Sequence, residues 1–178
     1  MEIPRDVLEP VQGLSREAGL LLAGLEEVRT QTIELIEDLS EEELATTLLP
    51  NFHQIGSLAL HLAENEFWWI QAVIAGKEIS DEDRKLAHLD EHTLETDFRL
   101  RGYDAKSCIG ILNMIHERSI ETLSEFSDDR LDTLILCEPG DPRFECSPRW
   151  VLHHLIDHEA HHKGQIAMIK RLIRKTTS

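Results

Sequence analysis

Histidines are concentrated near the C-terminal end of the chain, where five of the ten lie between positions 153 and 162. The surrounding stretch WVLHHLIDHEAHHKGQIAMIKRLI has apolar residues at three- and four-residue steps, which predicts an amphipathic helix. On a helical wheel His158 and His162 fall in the middle of the apolar arc. His154 and His161 lie at its edge, and His153 points away. Imidazoles at i and i+4 can bind one metal ion, whereas the plainer interpretation is two core histidines bonded to polar neighbours.

The residues from His158 to His162 also satisfy the His-Glu-x-x-His pattern of zinc proteases, in which Glu159 would be the general base. Those proteases commonly take their third ligand from downstream, but no residue after His162 is His, Asp or Glu. A zinc hydrolase is therefore the less favoured alternative, and the third ligand must come from upstream. Glu159-x-x-His162 is half of a di-iron signature as well, but the predicted helices contain no second copy of it.

Five histidines are available upstream: His53, His61, His88, His92 and His116. His88 and His92 lie in a polar connection and are expected in solvent. His61 and His116 can both face the core, so periodicity leaves the choice between them open. His61 is followed by polar and aromatic residues suited to the wall of a small-molecule pocket, namely Asn65, Trp68 and Trp69.

Four segments with helical periodicity must position these residues, at about 16–39, 54–75, 104–126 and 148–174. The first is expected to bury Leu21, Leu25, Val28, Thr32, Leu35, Ile36 and Leu39. Capping patterns predict a short helix after Ser40, the end of the second helix at Gly76 and the start of the fourth at Ser147-Pro148. A further short helix is expected near 81–89, and a Pro-Gly-Asp-Pro turn within 132–147 predicts a hairpin.

The predicted fold class is therefore all-α: an antiparallel four-helix bundle with short extra helices and a small hairpin before the last helix. We expect a single domain over residues 1–178, with its core at about 16–173.

The composition excludes several classes of partner. With 34 acidic and 18 basic residues the formal charge is −16, which opposes binding to nucleic acid and to anionic membranes. The N-terminal sequence MEIPRDVLEP lacks the apolar core of a secretory signal, and the three cysteines are widely spaced, so a cytoplasmic location is expected. Cys137 and Cys146 flank the predicted turn and could meet across it. We favour two small residues in a reduced protein over a thiol catalyst.

Two blocks of the sequence resemble the DinB/YfiT-like metalloenzyme superfamily. The first is GSLALHLAENEFWW in the second helix, and the second is PRWVLHHLIDHEAHHKGQI in the fourth. The lead-in LSEEEL after the first helix is also similar, so the resemblance covers roughly residues 16–173. One departure is Lys163, where the family usually has arginine before Gly164-Gln165. The charge is kept there, but the planar fork is lost.

The resemblance implies a site and a class of reaction. Carried over by position, the family's metal ligands are His61, His158 and His162, which would bind one divalent ion, nickel or zinc. Glu159 and Asn65 are candidates for a catalytic or supporting role beside the metal. Characterised relatives include S-transferases that use bacillithiol or mycothiol, so a low-molecular-weight thiol is an expected cosubstrate.

Two functional hypotheses remain open on the sequence alone. One is a metal-dependent thiol S-transferase acting on a small molecule, and the other is a noncatalytic bundle that binds metal or dimerises. A homodimer is compatible with either hypothesis.

Overall fold

The computed structural model describes residues 7–50, 52–89, 93–138 and 141–176, and it confirms the predicted all-helical fold. Its helices are α1 (Arg16–Ile36), α2 (Glu41–Leu44), α3 (Ile55–Phe67), α4 (Asp81–Leu86), α5 (Ala105–Ser124) and α6 (Pro148–Thr176). A π-helical segment, Trp68–Ile74, continues α3, and short 3₁₀ turns cover Phe98–Arg101 and Asp128–Arg130. The strands β1 (Ile135–Glu138) and β2 (Asp141–Cys146) form an antiparallel hairpin whose tip lies outside the described residues.

The predicted helix ends are confirmed at three places. The backbone N–H of Glu43 donates to the Ser40 hydroxyl while the Glu43 carboxylate accepts from the Ser40 N–H, which completes the capping box of α2. At the start of α6, the N–H of Trp150 donates to the Ser147 hydroxyl. Gly76 follows the π-helical segment with a φ of 63°, a left-handed conformation that favours glycine at a helix end.

The four long helices form two parallel pairs. Contacts between α1 and α6 run in the same order along both helices: Glu17 with Arg149, Arg29 with Glu159, and Asp38 with Lys170. The contacts of α3 and its π-helical continuation with α5 also run in the same order along both, from Glu66 with His116 to Gln71 with Thr122.

The two pairs run antiparallel to one another. Leu22 near the start of α1 shares a core cluster with Ile70 beyond the end of α3, and Ile36 at the end of α1 shares one with Ile55 at the start of α3. A chain leaving the far end of α3 must therefore return about 30 Å before α5 can begin parallel to it. This explains the long connection between residues 75 and 104.

Helix α3 is the central element of the bundle. Every residue from Ile55 to Leu60 is buried, so this stretch is surrounded by protein on all sides. Gly56 permits one close approach, because a Cβ there would lie 2.4 Å from the ring of Phe98. The loop that follows α4 therefore packs directly on the backbone of α3.

Three local expectations were wrong. The stripe predicted for α1 is buried at Leu25, Thr32, Ile36 and Leu39, but its other three residues, Leu21, Val28 and Leu35, are only partly covered. Leu22 and Arg29, which it left out, are buried. The second helix changes to π-helical geometry at Trp68 instead of continuing as an α-helix. His88 was expected in solvent but is 5% exposed and packs edge-on against Tyr103. The similar expectation for His92 lies outside the described residues.

No helix in the described part of the chain is both long and apolar enough to cross a membrane.

Candidate metal centre

Three histidines from two helices converge inside the bundle. His61 comes from the middle of α3, and His158 and His162 come from successive turns of α6. One ring nitrogen of each lies within 4.8 Å of the other two. The ring centroids of His158 and His162 are 4.5 Å apart, and that of His61 is 5.2 Å from both. The structure thus brings together the three residues that the family resemblance selected.

The ring of His162 is oriented by a neighbour on its own helix. Its Nδ1 lies 2.8 Å from Oε1 of Gln165, an oxygen that can only accept, so Nδ1 carries the hydrogen. The lone pair of the neutral ring is then on Nε2, which faces Nε2 of His158 at 3.1 Å. Metal-binding histidines are commonly held in this way, with the nitrogen opposite the ligating one donating to an oxygen.

His61 is partly buried among polar side chains of α3. The amide nitrogen of Asn65 lies 3.1 Å from Nε2 of His61 and also donates to the backbone oxygen of that residue. The Glu64 carboxylate lies 3.4 Å from His61 Nδ1 and accepts a hydrogen bond from the Thr93 hydroxyl at 2.6 Å. His61 therefore has both an amide and a carboxylate beside its ring.

The environment keeps His158 and His162 unprotonated. Burial, reinforced by the positive charges of neighbouring histidines, lowers the pKa of His158 to about 3. Burial also lowers the pKa of His162, against the hydrogen bond to Gln165, which raises it. Neutral imidazole is the form that binds metal, so at neutral pH no proton has to leave these two rings.

His116, the competing third ligand, is used elsewhere. Its Nδ1 lies 2.9 Å from Glu66 and its Nε2 lies 3.2 Å from Glu26, so both ring nitrogens already face carboxylates. Burial lowers the pKa of His116, but the hydrogen bond and the charge of Glu66 outweigh this and raise it. The geometry thus gives His116 an ion-pairing role.

Glu66 and His116 belong to a buried ionic network that joins all four long helices. Arg29 of α1 donates to both oxygens of Glu159 on α6 at 2.7 and 2.8 Å, and to Glu66 on α3 at 2.8 Å. It also donates to the backbone oxygen of Leu112 on α5. Opposing effects set the pKa of Glu66: burial raises it, but Arg29 and His116 prevail and hold it at about 2. Glu159, a candidate catalytic residue, therefore has its carboxylate engaged by Arg29 and is 2% exposed.

The remaining histidines of α6 lie outside this triad. His154 stacks on Trp150 with ring centroids 4.9 Å apart and meets Trp69 edge-on at 5.4 Å. His153 and His161 are exposed. The wheel prediction is confirmed for His153, which faces solvent, and for His154, which is partly buried, whereas His161 was expected at the edge of the apolar arc and is exposed.

Sequence reasoning missed the roles of four residues. Arg29, Glu66 and Glu159 each lie four residues after a buried leucine, at positions 25, 62 and 155. A charged residue inside the apolar stripe of three different helices was the available signal for a buried ion network. Gln165 stands three residues after His162, a spacing at which helical side chains meet.

The hairpin contains two cysteines, Cys137 and Cys146. Neither forms a disulfide. Burial, with the adjacent Cys137 thiol, raises the pKa of Cys146 to about 12, so its nucleophilic thiolate form is strongly disfavoured. A nucleophilic role for Cys146 is therefore disfavoured.

Comparison with known proteins identifies relatives along most of the chain. The family model described as Mycothiol-S-transferase matches residues 20–175. Protein YizA of Bacillus subtilis (strain 168), described as uncharacterized, is 29% identical over 148 residues, which cover 83% of this chain and 82% of YizA.

Two solved structures share the fold. A DinB-like protein from Bacillus cereus superposes with a TM-score of 0.63 at 17% identity, covering 94% of this chain and 95% of that one. A conserved protein from Enterococcus faecalis has a TM-score of 0.61 at 16% identity, covering 88% and 96%.

Proposed function

Because the chain belongs to the Mycothiol-S-transferase family of DinB-like proteins, we propose that it is a metal-dependent enzyme that transfers a group to the sulfur of a small thiol. His61, His158 and His162 would hold one divalent ion, nickel or zinc. The observation that carries the proposal is the convergence of three imidazole nitrogens within 4.8 Å on a bundle of this family.

The donor set suits such an ion. Two nitrogens bound to zinc at about 2.0–2.1 Å with tetrahedral angles are about 3.3 Å apart, close to the 3.1 Å between the Nε2 atoms of His158 and His162. Without an ion, Nε2 of His158 donates its hydrogen to the lone pair of His162. Moving that hydrogen to Nδ1 of His158 is the one change that ligation by both rings requires.

Three neutral ligands leave a coordination position for a thiol and leave the full charge of the ion available to it. A divalent ion bound there would lower the pKa of a coordinated thiol and hold the resulting thiolate. The protein's own residues then have positioning tasks: Gln165 orients His162, and Asn65 packs against His61.

A pocket beside His61 has room for the rest of the thiol molecule. This cavity of about 240 Å³ is lined by His61, Glu64, Asn65, Trp68, Arg84 and Leu89. Its charged and amide side chains can bond to the polar groups of a cosubstrate, and its aromatic and aliphatic side chains can pack on the hydrocarbon part. The π-helical segment begins at Trp68, in the wall of this pocket, and such segments are frequent at functional sites.

Metal titration of the purified protein tests the ligand set. Tag-free protein is stripped with a chelator and titrated with zinc or nickel against a chromophoric competitor. We expect one ion per chain, and each alanine variant of His61, His158 or His162 should lose more affinity than the roughly 10–100-fold typical of outer-shell partners.

Two matched variants control this experiment. His153→Ala removes an exposed histidine of α6, and His116→Ala removes one paired with carboxylates. Both should keep wild-type affinity for the ion. Full occupancy in the His162→Ala variant, or loss of metal in His116→Ala with His61→Ala unaffected, would overturn the ligand assignment.

Turnover separates the enzyme from the noncatalytic alternative. The metal-loaded protein is incubated with a cysteinyl thiol and an alkylating electrophile, and thioether formation is followed with and without chelator. Metal-dependent turnover supports the transferase, whereas tight metal binding with no turnover over a panel of thiols selects the metal-binding module. A zinc hydrolase is disfavoured because Arg29 occupies the carboxylate of Glu159, its only candidate general base in the His-Glu-x-x-His pattern.

A further inference from the structure

A second cavity, with a mainly apolar lining, lies about one helical turn from His61 and His162. It has a volume of about 250 Å³ and is lined by Phe52, His53, Leu58, Gln165, Met168 and Ile169, which we call the apolar pocket. Four of these six side chains are hydrocarbon or thioether, and none is an acidic or basic residue apart from His53. Two of the apolar side chains, Phe52 and Met168, are 38% and 49% exposed, so apolar surface extends to the mouth of the cavity.

The apolar pocket is built from the same helical turns as the candidate metal centre. Gln165, in its wall, is the residue whose Oε1 orients His162 at 2.8 Å. Leu58 precedes His61 by one turn of α3. A molecule in this cavity would therefore contact side chains that lie directly beside the histidine cluster.

The lining also contains one histidine, His53, whose hydrogen-bonding state can be assigned. Nδ1 of His53 lies 3.2 Å from the backbone oxygen of Leu94, and because a carbonyl can only accept, Nδ1 carries the hydrogen. In the neutral ring Nε2 then bears a lone pair and can accept a hydrogen bond from a ligand.

The size and the lining define the class of occupant. An apolar cavity of about 150 Å³ is enough to bind benzene, so the apolar pocket has room for one aromatic ring with a short substituent. An anionic ligand would meet only uncharged walls, in a protein with a formal charge of −16. The adaptable side chain of Met168 at the mouth suits hydrocarbon groups of varied shape.

We propose that the apolar pocket binds the electrophilic substrate, a small uncharged aromatic molecule whose hydrogen-bond donor, where present, pairs with His53. This proposal rests on the transferase function above. In the transfer, the thiolate sulfur forms a bond to the electrophilic carbon while the bond from that carbon to its leaving group breaks. The leaving group departs with the bonding electron pair, and the thiol proton passes to it or to water.

Benzyl alcohol, an unreactive one-ring probe with a hydroxyl donor, tests the pocket directly. Isotope-labelled, metal-free protein is titrated with it while amide resonances are followed by NMR. We expect saturable shifts confined to the neighbourhood of Gln165, Met168 and His53. Because no metal, thiol or turnover is needed, this measurement can fail while metal binding and transfer succeed, and the reverse also holds.

Two exposed residues on α6 provide matched variants. Met168→Gln removes apolar surface from the pocket mouth, and Leu172→Gln makes the same kind of change one turn further along, at a side chain that is 42% exposed and outside the lining. Met168→Gln should weaken the affinity for benzyl alcohol about fivefold, and Leu172→Gln should leave this affinity unchanged. His53→Ala should weaken the binding of benzyl alcohol more than the binding of toluene, which has no hydroxyl.

Three results would overturn the proposal: no saturable shifts up to about 20 mM probe, a range well above the mM affinities of small ligands; equal weakening by Met168→Gln and Leu172→Gln; or shifts located away from the pocket.

Discussion

Replacing Arg29 with methionine should be among the most damaging single substitutions in this bundle. Methionine keeps an unbranched chain of similar length but removes the guanidinium that is shared by Glu159 and Glu66. Both carboxylates are at most 2% exposed, so water cannot replace the lost partner. Glu66 still has His116, but Glu159 would be left as a buried, uncompensated charge.

The expected loss follows from this geometry. Breaking a buried ion pair by removing one partner typically costs about 3–5 kcal/mol of unfolding free energy. The matched control is Arg149→Met, whose guanidinium pairs at the surface with Asp132 and, more distantly, with Glu17. The side chains of Arg149 and Asp132 are 38% and 69% exposed. Exposed pairs of that kind contribute about 0–1 kcal/mol. The two arginine variants should therefore differ by several kcal/mol, although their pairing distances are similar.

Urea-induced unfolding of the metal-free proteins measures these losses, since removing the ion excludes stabilisation by ligand binding. A second substitution identifies the cause. Adding Glu159→Gln to the Arg29→Met variant removes the uncompensated charge and should recover part of the stability. A loss below about 1 kcal/mol in Arg29→Met would refute the argument from burial. A double variant no more stable than Arg29→Met would show that lost packing, rather than charge, is the cause.

Two further predictions concern pH and packing. In the folded protein the pKa of His158 is about 3, below its ordinary value of 6.5. As the pH falls from 6.5 towards 3, His158 therefore becomes protonated in the unfolded chain but not in the native state, which favours unfolding. Urea titrations should therefore show metal-free wild type losing stability over this range more steeply than His158→Gln, and parallel curves would contradict the shift. Gly56→Ala should lower the free energy of unfolding by about 1–3 kcal/mol because its Cβ would meet Phe98 at 2.4 Å. Gly110 lies at an exposed position of α5, and no atom lies within 4 Å of the Cβ that alanine would add there. Gly110→Ala should therefore raise the free energy of unfolding by about 0.5–1 kcal/mol. If Gly56→Ala were the more stable of the two variants, the clash with Phe98 would be ruled out.

Local sequence patterns predicted the helices and their ends well, because the necessary information lies within a few residues. The capping box at Ser40 and Glu43 is one example, and the i, i+4 spacing of His158 and His162 is another. The choice between His61 and His116 could not be made in this way. It depends on which carboxylates from other helices meet each ring, and Glu66 and Glu26 are 50 and 90 residues away from His116 in sequence.

The same limit explains the other differences between expectation and structure. The stripe predicted for α1 was chosen by apolar spacing and therefore left out Arg29, whose burial depends on acids from α3 and α6. His88 is buried because the connection after α4 folds back against Tyr103, a tertiary contact that leaves no periodic signal. The pairing of parallel helices likewise follows from the long connection, whose path is set by packing such as Phe98 on Gly56.

The ionic network and the histidine cluster are adjacent in sequence on two helices, and this ties the site to the stability of the bundle. On α6, Glu159 directly follows His158, and on α3 Glu66 lies five residues after His61. Successive residues of a helix point about 100° apart, so turning α6 enough to break the bond between Glu159 and Arg29 would also carry His158 away from His61. The buried charges thus fix the rotation of both helices that supply the candidate ligands. Neutral histidines alone could not fix the rotation of the helices. A single hydrogen bond between two imidazoles 3.1 Å apart restrains it far less than a guanidinium bonded to both oxygens of a carboxylate.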